Sequence, residues 1–541
     1  MIRIRVLLLL ICLLSLQTNN AQLLINTGDF TMEWGERIRF RGHVQGVFDI
    51  QGSNFSVILD RPYFLNFFNN SNHSIRIKEL QNLKVNNKKT VKLRGDGKRV
   101  KIQAVMDMGK NVYALSSRTK KARKEHFIYY HEFSHHEVLD RSEGKLIANY
   151  VSPIKSVGGN DIGVTSSKNK KLGAAYLKMP EDKKKYGSFE HILVDKEKGL
   201  IQQNLTLLPY EVNELEVEDQ YLSNKGDYYL IARQYLKTNP EKSFSFRNRH
   251  FAHMTLLMLD GEEIKNIEIN QADLFIHELA LHQKNDSIIV ATGFYKEAIG
   301  SSIRGIIYLK INENTNEIIE RKKTPFTQEF LSNAEPGWVQ KLLLGGDVPD
   351  ESNFEFFEYT EFKRTTDGGF IAIAEHMHID ARSRGTFEAG NEMQRYDHYY
   401  HYGDILVYKL TKKGELEWVR RIPKKQESLN DGGYYLSFAS IQGENSMYFF
   451  FNDHKKNYTE DGNYFDQADI KAMRTNRFTN VIAWVKVDEI TGEVTRKSLP
   501  GKKELSTVFI PKISQVSDDG QQLILYSSQG NRHRFGRVQI N

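Results

Sequence analysis

The stretch that decides the fold is Gly403-Asp404-Ile405-Leu406-Val407-Tyr408-Lys409-Leu410, a tight turn followed by an apolar run. A similar turn and run precede it, with Asp367-Gly368-Gly369 ahead of residues 370–374. A third turn follows it, with Lys413-Gly414 ahead of the polar-alternating residues 415–422. Short β-branched and aromatic runs bounded by Gly, Asn and Asp are typical of strands joined by tight hairpins. The stretch therefore predicts one antiparallel unit of sheet.

The same pattern returns along the chain at intervals of tens of residues. Six complete units of four strands, named a to d, are predicted over residues 101–155, 160–209, 213–270, 272–326, 354–423 and 434–499. Four antiparallel strands repeated without intervening helices match the blade of a β-propeller, so the predicted fold class is all-β. One exception is a short helix over residues 333–345, which we predict as an insertion between two blades.

The end of the chain supplies only three strands of a further blade, over residues 512–540. A blade without its outer strand exposes a sheet edge, so we expect an N-terminal strand to complete it and close the ring. Residues 36–41 and 55–60 are the two candidates for that strand. The prediction is a ring of about seven four-stranded blades, with six and eight as alternatives. Residues 22–95 then form an N-terminal β segment that contributes the closing strand, and residues 96–541 form the propeller.

The turn Asp367-Gly368-Gly369-Phe370, the strand that begins at Gly403 and the exit Gly414-Glu415-Leu416-Glu417-Trp418 resemble repeats of secreted bacterial β-propeller proteins. The match is good for this blade and looser over the rest of residues 100–541. The resemblance implies a propeller fold and export. It implies no activity, because propellers carry many unrelated functions.

Residues 1–21 have the features of a cleaved secretory signal peptide. Arg3 and Arg5 precede an apolar run over residues 6–16 that is short for a membrane span, and Ala21 suits cleavage. The only cysteine, Cys12, lies in that run after Ile11, where a lipid anchor needs a small residue. We therefore expect a secreted or periplasmic monomer without disulfides, lipid anchor or transmembrane segment. The formal net charge of +7 is too mild to name a partner, and export argues against nucleic acid.

The sharpest motif is His131-Glu132-Phe133-Ser134-His135, which spells the His-Glu-x-x-His signature of zinc peptidases. That chemistry needs a helix, which places both histidines on one face to bind zinc. The flanking residues instead predict strand c of a blade, where the two histidines would lie roughly 13 Å apart. A zinc peptidase is therefore the least favoured of the functions considered.

The long b–c connection of the fifth predicted blade is the second candidate site. Glu375, His376, His378 and Asp380 open it, and residues 396–402 close it with a run rich in tyrosine and histidine. His376 and His378 lie two residues apart, so with His398 or His401 three imidazoles can converge on a transition metal. The simpler interpretation is a solvated loop packed by its tyrosines. No cofactor is therefore expected, and a transition metal at these four histidines is the alternative.

The blade assignment brings all b–c connections to one face of the ring, which we call the b–c face. Basic residues outnumber acidic ones in five of these connections, whereas the fifth and sixth blades carry acidic, His/Tyr-rich loops. This polarity favours an anionic ligand, such as an acidic glycan, or an envelope protein as partner. The residues predicted to bind it are Lys120, Lys121, Arg123, Lys124, Arg247, Arg249, His376, His378, Tyr396, His398, Tyr399, His401 and His454.

Two classes of function follow from these patterns. The first is a non-enzymatic exported propeller that binds its ligand on the b–c face. The second is a hydrolase or lyase in the mouth of the ring, with or without a metal. Its candidate groups are Glu375, His376, His378, Asp397, His398, His401, Asp453 and His454.

Overall fold

A computed structural model describes the chain over residues 23–60, 74–108, 111–120, 125–134, 141–151, 162–178, 186–211, 213–242, 248–285, 287–301, 303–327, 357–388, 391–465, 470–475 and 479–541. Regular structure in these ranges is almost entirely β. The exceptions are one short α-helix, Lys502–Leu505, and two 3₁₀ turns, Lys455–Asn457 and Pro511–Ile513. The helix predicted over residues 333–345 lies outside the described ranges.

The described strands form eight sheets, of which seven follow one another along the chain and one joins its two ends. The first strands, β1 (Leu23–Asn26), β2 (Phe30–Trp34) and β3 (Ile38–Arg39), belong to the sheet of the two ends, named the terminal sheet. Sheet 1 contains β4 (His43–Gln51), β5 (Asn54–Asp60), β6 (Ser74–Gln81), β7 (Lys84–Gly95) and β8 (Lys98–Arg99). Sheet 2 contains β9 (Lys101–Met108), β10 (Asn111–Lys120), β11 (Glu125–Ser134) and β13 (Lys145–Val151), while β12 (Arg141–Glu143) pairs with β7 of sheet 1.

The next three sheets have four strands each. Sheet 3 contains β14 (Ile162–Ser166), β15 (Leu172–Lys178), β16 (Tyr186–Asp195) and β17 (Gly199–Glu211). Sheet 4 contains β18 (Leu215–Leu222), β19 (Tyr228–Leu236), β20 (His250–Asp260) and β21 (Glu263–Ile267). Sheet 5 contains β22 (Phe275–Asn285), β23 (Ile288–Lys296), β24 (Gly305–Asn312) and β25 (Glu317–Pro325).

The last sheets carry additions to the four-stranded plan. Sheet 6 contains β26 (Phe357–Arg364), β27 (Phe370–Glu388), β28 (Asn391–Leu410), β29 (Leu416–Ile422), β30 (Gln426–Leu429) and β33 (Met473–Arg474). Sheet 7 contains β31 (Phe438–Gln442), β32 (Ser446–His454), β34 (Asn480–Asp488) and β35 (Val494–Leu499). The terminal sheet receives β36 (Val508–Phe509), β37 (Gln515–Val516), β38 (Gln522–Gln529) and β39 (Arg532–Ile540).

Sheets 2 to 7 correspond to the six units predicted from the sequence, with bounds that agree within a few residues. In each of them the four strands of the unit are neighbours in chain order and antiparallel, which is the arrangement of a propeller blade. The repeat of turn and apolar run was a sufficient signal because tight hairpins join strands that lie side by side.

Residues 43–99 form a complete sheet of their own, so the described chain has eight sheets and not about seven. The prediction treated this region as a segment that contributes one strand. The candidate strand at 55–60 is wrong for closure, because β5 is a central strand of sheet 1, between β4 and β6. The β4–β5 and β7–β8 turns of this sheet contain Gly52 and Gly97 at positive φ, whereas its β6–β7 hairpin turns through Asn82 and Leu83.

The two ends of the chain meet in the terminal sheet. Strand β2 pairs antiparallel with the final strand β39, with Trp34 opposite Gly536. Of the candidate residues 36–41, only β3 pairs with β39, through Ile38 opposite His533. The signal for β2 was the alternation of Phe30, Met32 and Trp34, whose side chains are all fully buried.

Buried apolar clusters join the eight sheets into a cycle. Sheets 1 to 7 share one cluster at each successive interface. Sheet 7 shares a further cluster with the terminal sheet, where Phe30 packs edge-on against Phe450 and Trp484. The terminal sheet in turn shares one with sheet 1, where Phe535 meets Phe55. Every sheet therefore buries both of its faces against a neighbour, as in a β-propeller.

The first strand of each sheet lies nearest the axis of this cycle. Strand β14 contacts both β9 and β18, and β22 contacts β26, so first strands of neighbouring sheets meet. Successive strands run in opposite directions, so each first strand starts at the end of the sheet where its second strand is joined to its third. Both features therefore lie on the b–c face. The opposite face carries the a–b turns, and we call it the a–b face. No helix in the described ranges is long and apolar enough to cross a membrane.

The contact between Trp34 and β39 gives a direct test of the terminal sheet. The indole of Trp34 is fully buried and lies so close to Gly536 that a Cβ there would be 2.8 Å from the ring. We predict that Trp34→Ala costs about 3–5 kcal/mol, because it leaves a cavity between β2 and β39. Urea denaturation followed by intrinsic fluorescence measures the change. Leu24→Ala, at a side chain 68% exposed on β1, is the control and should change stability by less than about 0.5 kcal/mol.

Candidate functional site

A two-stranded hairpin arm projects from sheet 6 on the b–c face. It is the continuation of β27 and β28, which are 19 and 20 residues long, more than twice the length of β26. The region predicted as a long b–c connection is therefore mostly paired strand. β30 pairs with residues 399–402 and adds a third strand at the base of the arm.

Three metal-ligating side chains meet on one side of this arm. His378 on β27 lies directly opposite His401 on β28, and Asp380 follows two residues later on the same side of β27. The two imidazole rings stack in parallel, with centroids 4.5 Å apart and an angle of 10° between their planes. The carboxylate Oδ2 of Asp380 lies 3.5 Å from Nε2 of His401. One ligand atom from each of the three residues falls within 4.8 Å of the others.

The other two histidines of the predicted metal set do not join this group. The ring of His376 lies edge-on to that of His378, with centroids 5.6 Å apart, at a bulge between Glu375 and Met377. Burial lowers the pKa of His376 to about 4. His398 is opposite Ala381 and three residues from His401, so its exposed side chain lies on the other side of the arm. The structure therefore brings together two of the four predicted histidines and adds Asp380 as the third ligand.

Aromatic side chains border the group. Tyr399 is opposite Asp380 in the register, and the guanidinium of Arg382 lies 4.5 Å from the centre of its ring. Arg382 also approaches Asp380, with Nη2 3.4 Å from Oδ2. Tyr396, one of the predicted stacking residues, is 51% exposed but lies on the other side of the arm, together with His398. The arm thus presents ring faces, one guanidinium and three ligand side chains to solvent.

A buried ion pair fixes the base of the arm. Lys424 Nζ lies 2.7 Å from Glu375 Oε1, and both side chains are almost fully buried. Ser437 donates a hydrogen bond of 2.6 Å to the other carboxylate oxygen of Glu375. Lys512, from the terminal sheet, donates to the hydroxyl of Tyr402 at 2.7 Å. These contacts join the arm to sheet 7 and to the terminal sheet, so Glu375 has a positioning role.

A second cluster lies on the first strands of sheets 4 to 6, at the b–c end of the central opening. Arg233 bridges two carboxylates, with Nε 3.1 Å from Glu218 and Nη2 3.1 Å from Glu278. Burial raises the pKa of Glu278 to about 8, and the charges of Glu358 and Glu218 add to the shift while Arg233 opposes it. Burial likewise raises the pKa of Glu358. Burial thus favours the protonated form of Glu278, whereas the guanidinium of Arg233 favours the ionised form.

β-Bulges aim these carboxylates. The register shifts between Val217 and Asp219 on β18 and between Ile276 and Glu278 on β22, so an extra residue stands in each first strand. The carbonyl of Glu278 approaches Gly293 so closely that a Cβ there would lie 2.0 Å away. The sequence did not point to this cluster, because candidate site residues were sought in the connections between strands and not within the strands. Charged residues inside predicted first strands, as at Glu218, Glu278 and Glu358, were the available signal.

The candidates on sheet 7 have structural roles. Asp453 is fully buried and accepts hydrogen bonds from Arg496 and from Tyr458, the latter at 2.7 Å. His454 accepts from the backbone N–H of Lys456 at 3.0 Å and so caps the 3₁₀ turn. Asp397, on the arm, accepts from Asn430 at 2.9 Å. The structure brings none of these three into either cluster.

The basic residues predicted to bind an anion are engaged where the structure describes them. Lys120 pairs with Glu125 at 3.2 Å. Arg249 pairs with Glu216 at 2.7 Å and covers the ring of Tyr235 at 3.8 Å. The remaining four, Lys121, Arg123, Lys124 and Arg247, lie outside the described residues. The described basic residues of this set are therefore already paired with carboxylates.

The zinc-peptidase interpretation is wrong for the described part of its motif. His131 and Glu132 lie on β11, the third strand of sheet 2, so the helix that the motif requires is not formed over residues 125–134. His131 is fully buried, with Nε2 2.7 Å from the hydroxyl of Ser116. Burial lowers the pKa of His131 to about 4. His135 lies outside the described residues.

Sequence comparison gives no relatives: no protein-family model matches the chain, and no curated protein matches it. Similar solved structures include prolyl oligopeptidase B from Galerina marginata (9% identity, TM-score 0.38, 90% of this chain and 55% of that one). They also include the WD40 domain of SCAP from fission yeast (8% identity, TM-score 0.37, 97% and 98%). A third is the β-propeller domain of the Trilobed protease from Pyrococcus furiosus (8% identity, TM-score 0.29, 74% and 100%).

This chain spans about half the length of the prolyl oligopeptidase B chain that it matches. At such identities and TM-scores these similarities say nothing about activity. The assignment as a β-propeller follows from the chain's own four-stranded antiparallel sheets and from the clusters between them.

The ion pair of Glu375 and Lys424 predicts a large loss of stability when one partner is neutralised. Glu375→Gln leaves the buried ammonium of Lys424 without a counter-charge, which costs about 3–5 kcal/mol. Glu36→Gln is the matched control, because Glu36 and Lys84 form an exposed pair whose loss costs at most about 1 kcal/mol. Chemical denaturation of both variants checks the prediction. Equal small losses would show that the buried pair does not hold the base of the arm.

Proposed function

We propose that the protein is a non-enzymatic binding propeller that holds a divalent transition-metal ion on the hairpin arm and binds an acidic glycan there. The observation that carries the proposal is the group of His378, Asp380 and His401, whose ligand atoms lie within 4.8 Å of one another. The proposal also includes export, which is expected from the predicted signal peptide, and closure of the ring by the pairing of β2 with β39. They would place a closed, rigid ring where envelope glycans occur.

The ligand chemistry favours zinc or a neighbouring first-row ion. Two imidazole nitrogens and one carboxylate oxygen are typical of three-ligand sites that keep an open coordination position. His378 and His401 come from two paired strands, so only side-chain rotation is needed to bring their nitrogens onto one ion. The open position would accept an oxygen of the bound ligand.

The surroundings of the group favour an acidic sugar as that ligand. A uronate carboxylate can occupy the open metal position, while Arg382 beside Asp380 supplies a cation for a second oxygen. The ring of Tyr399, which lies opposite Asp380 on the metal side of the arm, offers a flat apolar face on which a sugar ring can stack. Metal, guanidinium and tyrosine thus each match a different part of a uronate.

The metal site predicts stoichiometric zinc binding that depends on the two cross-strand histidines. We expect the wild-type chain to bind one Zn²⁺, and His378→Ala combined with His401→Ala to lose at least tenfold in affinity. His398→Ala is the matched control, because this exposed histidine lies on the other side of the same arm and should leave affinity within twofold of wild type. Isothermal titration with Zn²⁺ and elemental analysis of the dialysed protein provide the measurements. Equal zinc binding by the double variant would refute the site.

Glycan binding is tested separately with polygalacturonate as the probe. In the presence of Zn²⁺ the wild-type protein should bind it, and chelation or the double histidine variant should weaken binding at least tenfold. Zinc binding without metal-dependent glycan binding would retain the metal site and reject the ligand. Binding that survives chelation and the double variant would reject the role of the metal.

The carboxylates at the central opening favour a second candidate, a hydrolase or lyase. Burial favours the protonated form of Glu278, which would donate a proton, while Glu218 or Glu358 would accept one. Arg233, which lies between Glu218 and Glu278, would bind an anionic group of the substrate or of the transition state. Neither step requires the metal of the arm. The raised pKa of Glu278 is the observation that this candidate depends on.

The pKa of Glu278 predicts a pH dependence of stability. Its pKa is about 8 in the folded chain against an ordinary value of 4.5, so the folded state favours the protonated form. This contribution is complete below pH 4.5 and is lost as the pH rises towards 8. Glu278→Gln, which does not titrate, should therefore gain stability relative to wild type between pH 5 and 9. Thermal unfolding of both proteins across that range measures the difference, and parallel profiles would show that Glu278 is ionised at neutral pH.

A further inference from the structure

The a–b face has a cavity of about 1020 Å³ at the other end of the central opening. It is lined by the last residues of the first strands of sheets 3 to 7 and of the terminal sheet. The hairpin arm and the carboxylate cluster are on the opposite face. This cavity is therefore separate from the site of the proposed function, and sequence reasoning did not single out any of its residues.

Basic side chains enter the cavity from two separate sheets. Lys168 stands in the turn after β14 of sheet 3, and Lys363 and Arg364 end β26 of sheet 6. Lys363 pairs with Glu361 on its own strand. Within the described ranges, Lys168 and Arg364 form no ion pair, and both are solvent-exposed, so a ligand can reach them.

These cations are close enough to repel one another. Burial lowers the pKa of Lys168, and the charges of Arg364 and Lys363 lower it further, with no carboxylate opposing them. Two carboxylates also line the cavity. Asp519 is held in its own turn by Ser517 at 2.5 Å and by the N–H of Gln521 at 3.0 Å. Glu444 is exposed on the turn after β31. Lys168 and Arg364 are positive charges without a paired carboxylate among the described residues, which favours the binding of an anion.

A third group faces the cavity from sheet 5. His282 on β22 is only 8% exposed and lies between the rings of Phe362 and Phe370. Its Nε2 is buried without a direct hydrogen-bond partner among the described residues, although the backbone of Phe362 also interacts with the ring. Buried polar atoms are nearly always satisfied, so an atom like this one in a cavity wall indicates a missing partner.

We infer that this cavity binds a tetrahedral oxyanion, the phosphate or sulfate group of a small ligand, between Lys168, Arg364 and His282. The three groups approach from three different sheets. A tetrahedral group can offer a separate oxygen to each of the three, whereas a planar carboxylate has two oxygens in one plane. The hydroxyl groups of Thr165 and Thr366, which also line the cavity, can serve the remaining oxygens.

The test uses the full chain with inorganic phosphate, inorganic sulfate and acetate as probes in isothermal titration. We expect one saturable site for phosphate or sulfate, with acetate at least tenfold weaker. Phenyl phosphate and phenyl sulfate then show which ester is preferred. Lys168→Gln combined with Arg364→Gln should weaken oxyanion binding at least tenfold. Lys171→Gln is the matched control, because Lys171 is an exposed lysine at the same turn outside the cavity lining and should stay within twofold of wild type.

Thermal unfolding shows whether the double variant is still folded. Because neutralisation removes repulsion, the double variant should unfold at or above the wild-type temperature without ligand. Phosphate or sulfate should then raise the unfolding temperature of the wild type and not that of the double variant. Unchanged binding in the double variant, equal affinity for acetate, or the absence of a saturable site would each overturn the inference.

Discussion

The burial of both faces of every sheet is the constraint on which this structure depends. A single four-stranded sheet with two apolar faces is stable only between two neighbours, and the eight sheets satisfy this by sharing one buried cluster at each interface. A closed cycle requires the last sheet to meet the first, and the pairing of β2 with β39 is the contact that we propose closes it.

The fold was largely predictable because hairpin turns and apolar runs are local signals. Gly403-Asp404 and its neighbours predicted sheet 6, and similar turns predicted sheets 2 to 5 and 7. Sheet 1 was not predicted as a complete sheet, although two of its turns contain Gly52 and Gly97; its β6–β7 hairpin turns through Asn82 and Leu83. The N-terminal partner of β39 was predicted only in part: the candidate at 36–41 contains β3, which pairs with β39, whereas the longer pairing with β2 was not predicted. Which strand meets the end of the chain depends on packing between distant residues and not on local sequence.

The site was predictable only in part. The spacing of His376 and His378 drew attention to the right hairpin, yet the partner of His378 was decided by the cross-strand register that places His401 opposite it. His376 lies at a bulge, and His398 is an odd number of residues from His401, so neither histidine joins the metal-ligating group. The central carboxylates and the cavity on the a–b face depend on which residues of different sheets face the axis, and a linear sequence does not contain that information.

The central functional claim is that the arm holds a metal ion between His378, Asp380 and His401. A crystal structure of the protein grown with Zn²⁺, with diffraction data collected on both sides of the zinc absorption edge, tests it most directly. The account predicts one strong anomalous peak at zinc–ligand distance, about 2.0–2.2 Å, from nitrogens of both histidines and an oxygen of Asp380. A well-ordered arm without such a peak, or zinc bound only elsewhere on the chain, would contradict it.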